Sequence, residues 1–383
     1  MGGSRQRHRL QARRAIFWMV AFVTLAQAAI GWYLNTSGWR IRFPEMAGVV
    51  DKWRSARSPD VVAIGTSSNG SSLNESFVRE LLDEDESTRG VRFVNACISC
   101  GDVYVMDRLL RRVEEEHLPM PRLLLLEMSP ELLAGPRFWS YRMNAIRQFD
   151  WQDSWTQRMQ LLRSGDIQRA LLAQCTPLFM HRRVLRNAWS QAVVSFWTGA
   201  SAPSAAPLSD KRFHLANQAP DPTPPASTSV SALPVSLSKG AGRSAPKLLP
   251  GPIAETLKEP AEKIAAREWR WLRDYRINDD AATMLRRVVD RCRRNHVDVV
   301  LLHPAHASEW RRLMTAEDRR QLAEFFADLE AKNGGRLEDL QDVVPDEGFR
   351  DPIHVNDFGS RAYSSAVVEQ VIRPEWKRLA AAE

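Results

Sequence analysis

Two short stretches of the chain carry side chains able to do chemistry together. The first is Ile64-Gly65-Thr66-Ser67-Ser68-Asn69, a serine-rich turn directly after the apolar run Val61-Val62-Ala63-Ile64. A serine there would lie outside the carboxyl end of a strand, where ligands collect in open parallel sheets. The first N–H groups of the helix that follows can steady an oxyanion near its hydroxyl. Taken alone, the turn reads more simply as helix capping by Ser or Asn. The second stretch is Asp351-Pro352-Ile353-His354-Val355-Asn356-Asp357-Phe358-Gly359. An acid three residues before a histidine can hold the imidazole's orientation and tautomer in a turn, leaving the other ring nitrogen to face a nucleophile. A hydroxyl served by such an imidazole does acyl transfer through a serine ester. That chemistry calls for no cofactor.

These residues need a scaffold, and the apolar pattern supplies one. Val61–Ile64, Val91–Val94, Arg122–Met128 (with LLLLEM) and Val297–Leu302 (VDVVLL) read as buried strands, with Leu340–Val344 as a last short one. Ser72–Leu82, Val103–His117, Ala261–Tyr275, Ala281–Asn295, Ala316–Asn333 and Asp357–Ile372 read as helices, the last stopped by Pro374. Alternation of strand and helix implies an α/β fold with a parallel sheet and right-handed crossovers. The stretch 136–200 is rich in Arg and Trp and reads as a helical insertion. In 201–260 stand 11 of the 22 prolines, with many Ser and Ala. Such a segment cannot offset its ordering entropy by burial and is expected to be a disordered linker. The α/β domain is thus expected in two halves, 58–135 and 261–383.

Length and charge set the remaining bounds. The 383 residues carry a formal net charge of +7, and Arg5, Arg7, Arg9, Arg13 and Arg14 put +5 of it in a cytoplasmic tail, 1–14. A generally basic nucleic-acid-binding surface is therefore not expected. Ala15 to Leu34 follows, charge-free and flanked by Trp18, Trp32 and Tyr33. About 20 helical residues span a bilayer's hydrocarbon core, and basic residues mark the cytoplasmic side. The run predicts a single-pass signal anchor in the inner membrane with the domain exported, joined by a connector at 35–57. Ala26-Gln27-Ala28 leaves a cleaved signal peptide open, which also exports the domain. A buried core helix is disfavoured by the five arginines.

A first-strand serine combined with a late D-x-x-H-x-N-x-x-G in an α/β chain resembles the SGNH (GDSL-like) hydrolase superfamily, over roughly 58–135 and 285–375. The resemblance implies a flavodoxin-like sheet and a triad of Ser67 as nucleophile, His354 as general base and Asp351 as its orienter. It is closest to exported, membrane-anchored members similar to alginate O-acetyltransferases and to the D-alanyl-lipoteichoic acid protein. In those, G-x-S often replaces G-D-S, as Gly65-Thr66-Ser67 does here. The expected activity is acyl transfer or ester hydrolysis on O-acyl groups, acetyl foremost, of a cell-envelope or secreted polysaccharide, with a membrane protein delivering the acyl group. The second block, Asn95-Ala96-Cys97-Ile98-Ser99-Cys100-Gly101, has cysteines where glycines are usual, and implies oxyanion donors at Cys100 or Gly101. The third block's asparagine is absent, replaced by Leu126-Glu127-Met128-Ser129-Pro130-Glu131. A non-catalytic envelope protein with a binding or assembly role is the alternative these departures favour.

Asn69, His303 and Asn356 are further candidates for the substrate pocket. His303-Pro304-Ala305-His306 follows the fourth strand, but no carboxylate motif completes a metal site. Trp139, Trp151 and Trp155 can stack on sugars, rest on a membrane or pack amphipathic helices, the last being the plainest. Cys97 and Cys100 read as chance cysteines or a local disulfide rather than a redox centre.

Overall fold

A computed structural model describes residues 2–36, 38–99, 101–134, 149–156, 158–163, 166–182, 185–186, 188–190 and 275–382. The linker expected at 201–260, nearly all of the helix expected at 261–275, Cys100 and Trp139 lie outside the described residues.

Five strands form one parallel sheet: β1 Val61–Ile64, β2 Phe93–Asn95, β3 Leu123–Glu127, β4 Asp298–His303 and β5 Arg336–Asp339, in the spatial order β2-β1-β3-β4-β5. Every pairing is parallel. The order reverses between β1 and β3, and such a switch point opens a crevice outside the strand ends. The turn after β1 lies there.

All but the edge strand β5 are largely apolar runs because helices cover both faces. Side chains alternate along each strand. Val62, Ile64, Leu124, Leu126, Val299 and Leu301 join one buried cluster with residues of α3 (Pro44–Ser55), α6 (Val103–Glu115), α12 (Asp279–Arg294) and α14 (Ala316–Asn333). Val61, Ala63, Leu123, Leu125, Val300 and Leu302 join the other, with residues of α5 (Glu75–Glu84) and of the C-terminal helix from Asp357 onward. Burial of each such aliphatic side chain contributes about 1.5–3 kcal/mol relative to exposure. The stretch read as a connector forms α2 (Trp39–Arg42) and α3, and α3 buries Met46, Val50 and Trp53 in the first cluster.

Helix ends follow local chemistry. Thr315 and Asp318 make a capping box at the start of α14, and Gly334, at φ 85°, closes it in the left-handed conformation. Two expectations are corrected. The last strand of the parallel sheet is Arg336–Asp339 rather than Leu340–Val344. Leu340 and Val344 are buried, yet they pack from a turn, while the paired edge carries Arg336, Glu338 and Asp339, as sheet edges often do. Nor does Pro374 stop the last helix. α15 (Asp357–Ala366) widens into a π turn over Val367–Ile372 and continues as α16 (Arg373–Ala381), with the proline in its first turn. The shift in register there falls where proline lacks an N–H.

Among the described residues, one helix is long and apolar enough to cross a membrane: Leu10–Asn35, within α1 (Gly2–Asn35). Between β3 and β4 the chain forms α7 (Pro130–Leu133) and then α8 (Trp151–Thr156), α9 (Arg158–Arg163), α10 (Ile167–Cys175) and α11 (Pro177–Met180), so the sheet is interrupted by a helical insertion.

Candidate active site

Gly65 leaves β1 where a Cβ would overlap the side chain of Glu127 at the end of β3, so only glycine fits. Thr66 then caps α4 (Ser67–Ser72), its hydroxyl accepting from the Ser68 N–H at 3.1 Å. Ser67 is therefore the first helical residue. The Asn69 N–H goes to the Glu127 carboxylate and the Gly70 N–H to the Thr66 carbonyl. The Ser67 N–H, at the first helical position, has no acceptor within its helix.

The opposing loop is built around Asp351. Its carboxylate accepts from the N–H groups of Ile353 (3.1 Å) and His354 (2.9 Å), which folds D-x-x-H into a tight turn, and its two oxygens lie 3.0 and 2.9 Å from His354 Nδ1. His354 Nε2 is 3.1 Å from Ser67 Oγ. With Nδ1–H donating to Asp351, Nε2 is left to accept from the serine hydroxyl. The Ser68 hydroxyl donates to the Ile353 carbonyl at 2.8 Å, tying the serine turn to the histidine turn. Burial alone would raise the Asp351 carboxyl. The hydrogen bond from the His354 ring, its charge and the two N–H groups outweigh that and hold it below the usual carboxylate range.

The remaining residues of the motif are structural. Asn356 caps α15, accepting from the Gly359 N–H at 3.0 Å and donating to the Glu347 carbonyl at 2.7 Å. Gly359 allows the Gly348 carbonyl to approach its backbone where a Cβ would overlap it. Asn356 is thus a cap rather than a pocket residue. Asn69 is also reassigned. It is fully buried, donating toward Cys97 Sγ at 3.7 Å and accepting from the Tyr363 hydroxyl at 3.1 Å. Its amide braces α4 against α15.

The oxyanion expectation changes as well. The Gly101 N–H donates to the Ile98 carbonyl at 3.0 Å and is spent. Cys100 lies outside the described residues. Cys97 is unbridged, and burial, reinforced by the Glu127 charge, pushes its thiol well up, so it is no competing nucleophile.

His303 is buried. It ends β4, and the loop that follows touches the histidine turn through the Ala307 N–H, which donates to the Pro352 carbonyl at 3.0 Å. Burial, with His306 nearby, lowers its pKa to about 4. His306 stacks on Trp310 with ring centroids 3.8 Å apart, and its Nε2 is 3.7 Å from Glu131 Oε1. This polar layer supports the loop from behind its buried side and offers no open wall to a substrate. Among the described residues, no group of three or more His, Cys, Asp or Glu side chains could hold a metal ion.

One functional residue escapes sequence reasoning: Glu127. It is fully buried, its carboxylate accepting from the Thr66 N–H and, at 2.9 Å, from the Thr66 hydroxyl, besides the Asn69 N–H. Burial pushes its pKa up to about 7 against those hydrogen bonds. An acid ending the run LLLLE is the available signal, since an unpaired buried carboxylate in a strand is too costly to be incidental. No protein-family model and no curated protein matches the chain.

Proposed function

We propose that the chain is a membrane-anchored serine acyltransferase or esterase with an SGNH-like site, acting outside the cytoplasm on O-acyl groups of a cell-envelope polysaccharide. The observation that carries this reading is the continuous contact from Ser67 Oγ to His354 Nε2 and from His354 Nδ1 to Asp351. It joins Ser67 to a histidine 287 positions away, in the order such chemistry requires.

In this mechanism Ser67 Oγ attacks the ester carbonyl carbon while its proton passes to His354 Nε2. Asp351 stays ionised, holds the ring and stabilises the imidazolium. The Ser67 N–H is the oxyanion donor that the turn leaves available. Collapse of the tetrahedral intermediate expels the alcohol, which takes the proton from His354, and leaves acyl-Ser67. A sugar hydroxyl or a water then gives its proton to His354 and attacks, releasing the new ester or the free acid and restoring the serine. Anchoring beside the membrane favours a sugar hydroxyl as acceptor, with the acyl group supplied by a membrane protein. The apolar helix Leu10–Asn35 supports the anchor, and the arginines before it support a cytoplasmic N-terminus in the inner membrane.

A binding domain without catalysis is favoured by one observation, the engagement of the Gly101 N–H with Ile98. Turnover of p-nitrophenyl acetate separates the two. The full-length protein is expected to release nitrophenol in a burst followed by a slower phase. An added oligosaccharide acceptor is expected to speed that phase and to carry acetyl afterwards. No turnover above buffer leaves the binding domain; turnover with no acetylated sugar leaves the esterase.

A further inference from the structure

The helical insertion exposes apolar side chains that no core needs. Trp155 is 69% exposed, Phe179 62% and Trp189 72%, and Trp151, Met159 and Leu172 are exposed with them. The expectation that Trp151 and Trp155 pack amphipathic helices is thereby overturned. The charge of this stretch is one-sided. Residues 151–190 hold Arg158, Arg163, Arg169, Arg182, Arg183 and Arg186 against Asp153 and Asp166. Both acids are buried. Arg158 lies over the Trp155 ring and Arg182 over the Phe179 ring, each at 4.5 Å.

Where this surface meets α1 identifies its occupant. From Ile16 to Leu25 the large apolar side chains of α1 are exposed, but its last turns pack against α10 and α11. Gly31 lets the Gln174 carbonyl and the Pro177 ring approach, each at 3.4 Å from where a Cβ would stand. The Leu178 N–H, in the first turn of α11, donates to the Gln27 side chain at 3.1 Å. Gln27 is seven residues before Leu34, the end of the charge-free run, hence about 10 Å inside it at 1.5 Å per residue. A bare helix-end N–H satisfied by an amide within the span is what a site without water demands.

We infer that α8 to α11 form a second membrane footing, resting on the outer leaflet at the boundary of headgroups and acyl chains. Their apolar side chains enter the leaflet and their arginines meet lipid phosphates. This depth, about 5–10 Å, and the mix of Trp, Phe, Leu and Arg fit an interfacial helix. The footing is coupled to the catalytic frame through Asp153, which pairs with Arg108 and Arg111 on α6. With two attachments the domain does not swing about residue 35, and the Ser67 turn keeps a fixed height above the bilayer. The inference rests on α1 crossing the membrane as proposed above.

The test places benzoylphenylalanine at Phe22, Trp155, Phe179 or Glu330 of the full-length protein, reconstituted in vesicles of phosphatidylethanolamine and phosphatidylglycerol. After illumination, lipid adducts are read by mass. Adducts are expected at 22, 155 and 179, and none at the exposed position 330 of α14. Adducts at 22 with none at 155 and 179 overturn the footing and leave the span intact. No adduct at 22 removes the span and the footing with it. Crosslinks between copies of the chain at 179, in place of lipid adducts, overturn the footing in favour of self-association.

Discussion

His354→Ala is expected to lower turnover of an activated acetyl ester on the order of 10⁵–10⁶-fold, with the fold retained. Without the imidazole the Ser67 hydroxyl has no proton acceptor at 3.1 Å, and an alcohol is a poor nucleophile near neutral pH. Asp351→Asn is expected to cost about 10⁴-fold, because an amide facing Nδ1 can donate and so stabilise the tautomer with the proton on Nε2. Because the three side chains act as one unit, the double variant Ser67→Ala with His354→Ala is expected to be no slower than either single variant. Steady-state kinetics on wild type and the four variants, with circular dichroism as the check on folding, reads all of this. A His354→Ala protein with turnover within tenfold of wild type would remove the histidine from the mechanism.

The second large effect belongs to Glu127. Its ionised carboxylate accepts from the N–H and the hydroxyl of Thr66, and that hydroxyl in turn accepts from Ser68. The chain of bonds fixes the first turn of α4 and with it the serine. In Glu127→Gln the shape is kept, but the amide turns one acceptor into a donor facing Thr66. A buried donor left unpaired costs about 1–3 kcal/mol, so acylation is expected to fall about tenfold or more. The carboxyl's pKa of about 7, raised from an ordinary 4.5, supplies a second readout. Between those two values the folded chain holds a proton that the unfolded chain has lost. Stability therefore falls as pH rises through that window, by about 3 kcal/mol in all. The loss is complete above pH 7 and absent below about 4.5. Glu127→Gln is expected to lose that slope in denaturant titrations at pH 5, 6, 7 and 8. It is also expected to lose the matching part of the pH–rate profile. A variant with wild-type slope and wild-type kinetics would mean that the carboxylate positions nothing.

The frame is legible in the chain wherever burial is continuous. VVAI, LLLLE and VVLLH can only be strands covered on both sides, and their order along the chain already implies a parallel sheet. The serine turn and D-x-x-H are legible as a pair because each sits just outside the sheet's carboxyl edge. Reading fails where a residue's role is set by an unseen neighbour. Asn356 looks like part of a pocket, but it caps a helix, and Gly359 three residues on admits a carbonyl. Gly101 has the right type for an oxyanion donor, and only the fold shows that its N–H is taken by Ile98. Glu127 hides among leucines because its partner, Thr66, is 61 residues away. The tryptophans of α8 resist for a different reason. An amphipathic pattern does not say whether an apolar side chain is covered, and only the fold shows that Trp151 and Trp155 are exposed.

The most direct test of the serine as nucleophile is intact-mass analysis after reaction with a fluorophosphonate. Wild type is expected to gain one phosphonyl adduct, mapped by fragmentation to Ser67, with His354→Ala labelled far more slowly and Ser67→Ala not at all. Equal labelling of wild type and Ser67→Ala, or an adduct that maps to another serine, would contradict the assignment of Ser67 as the nucleophile.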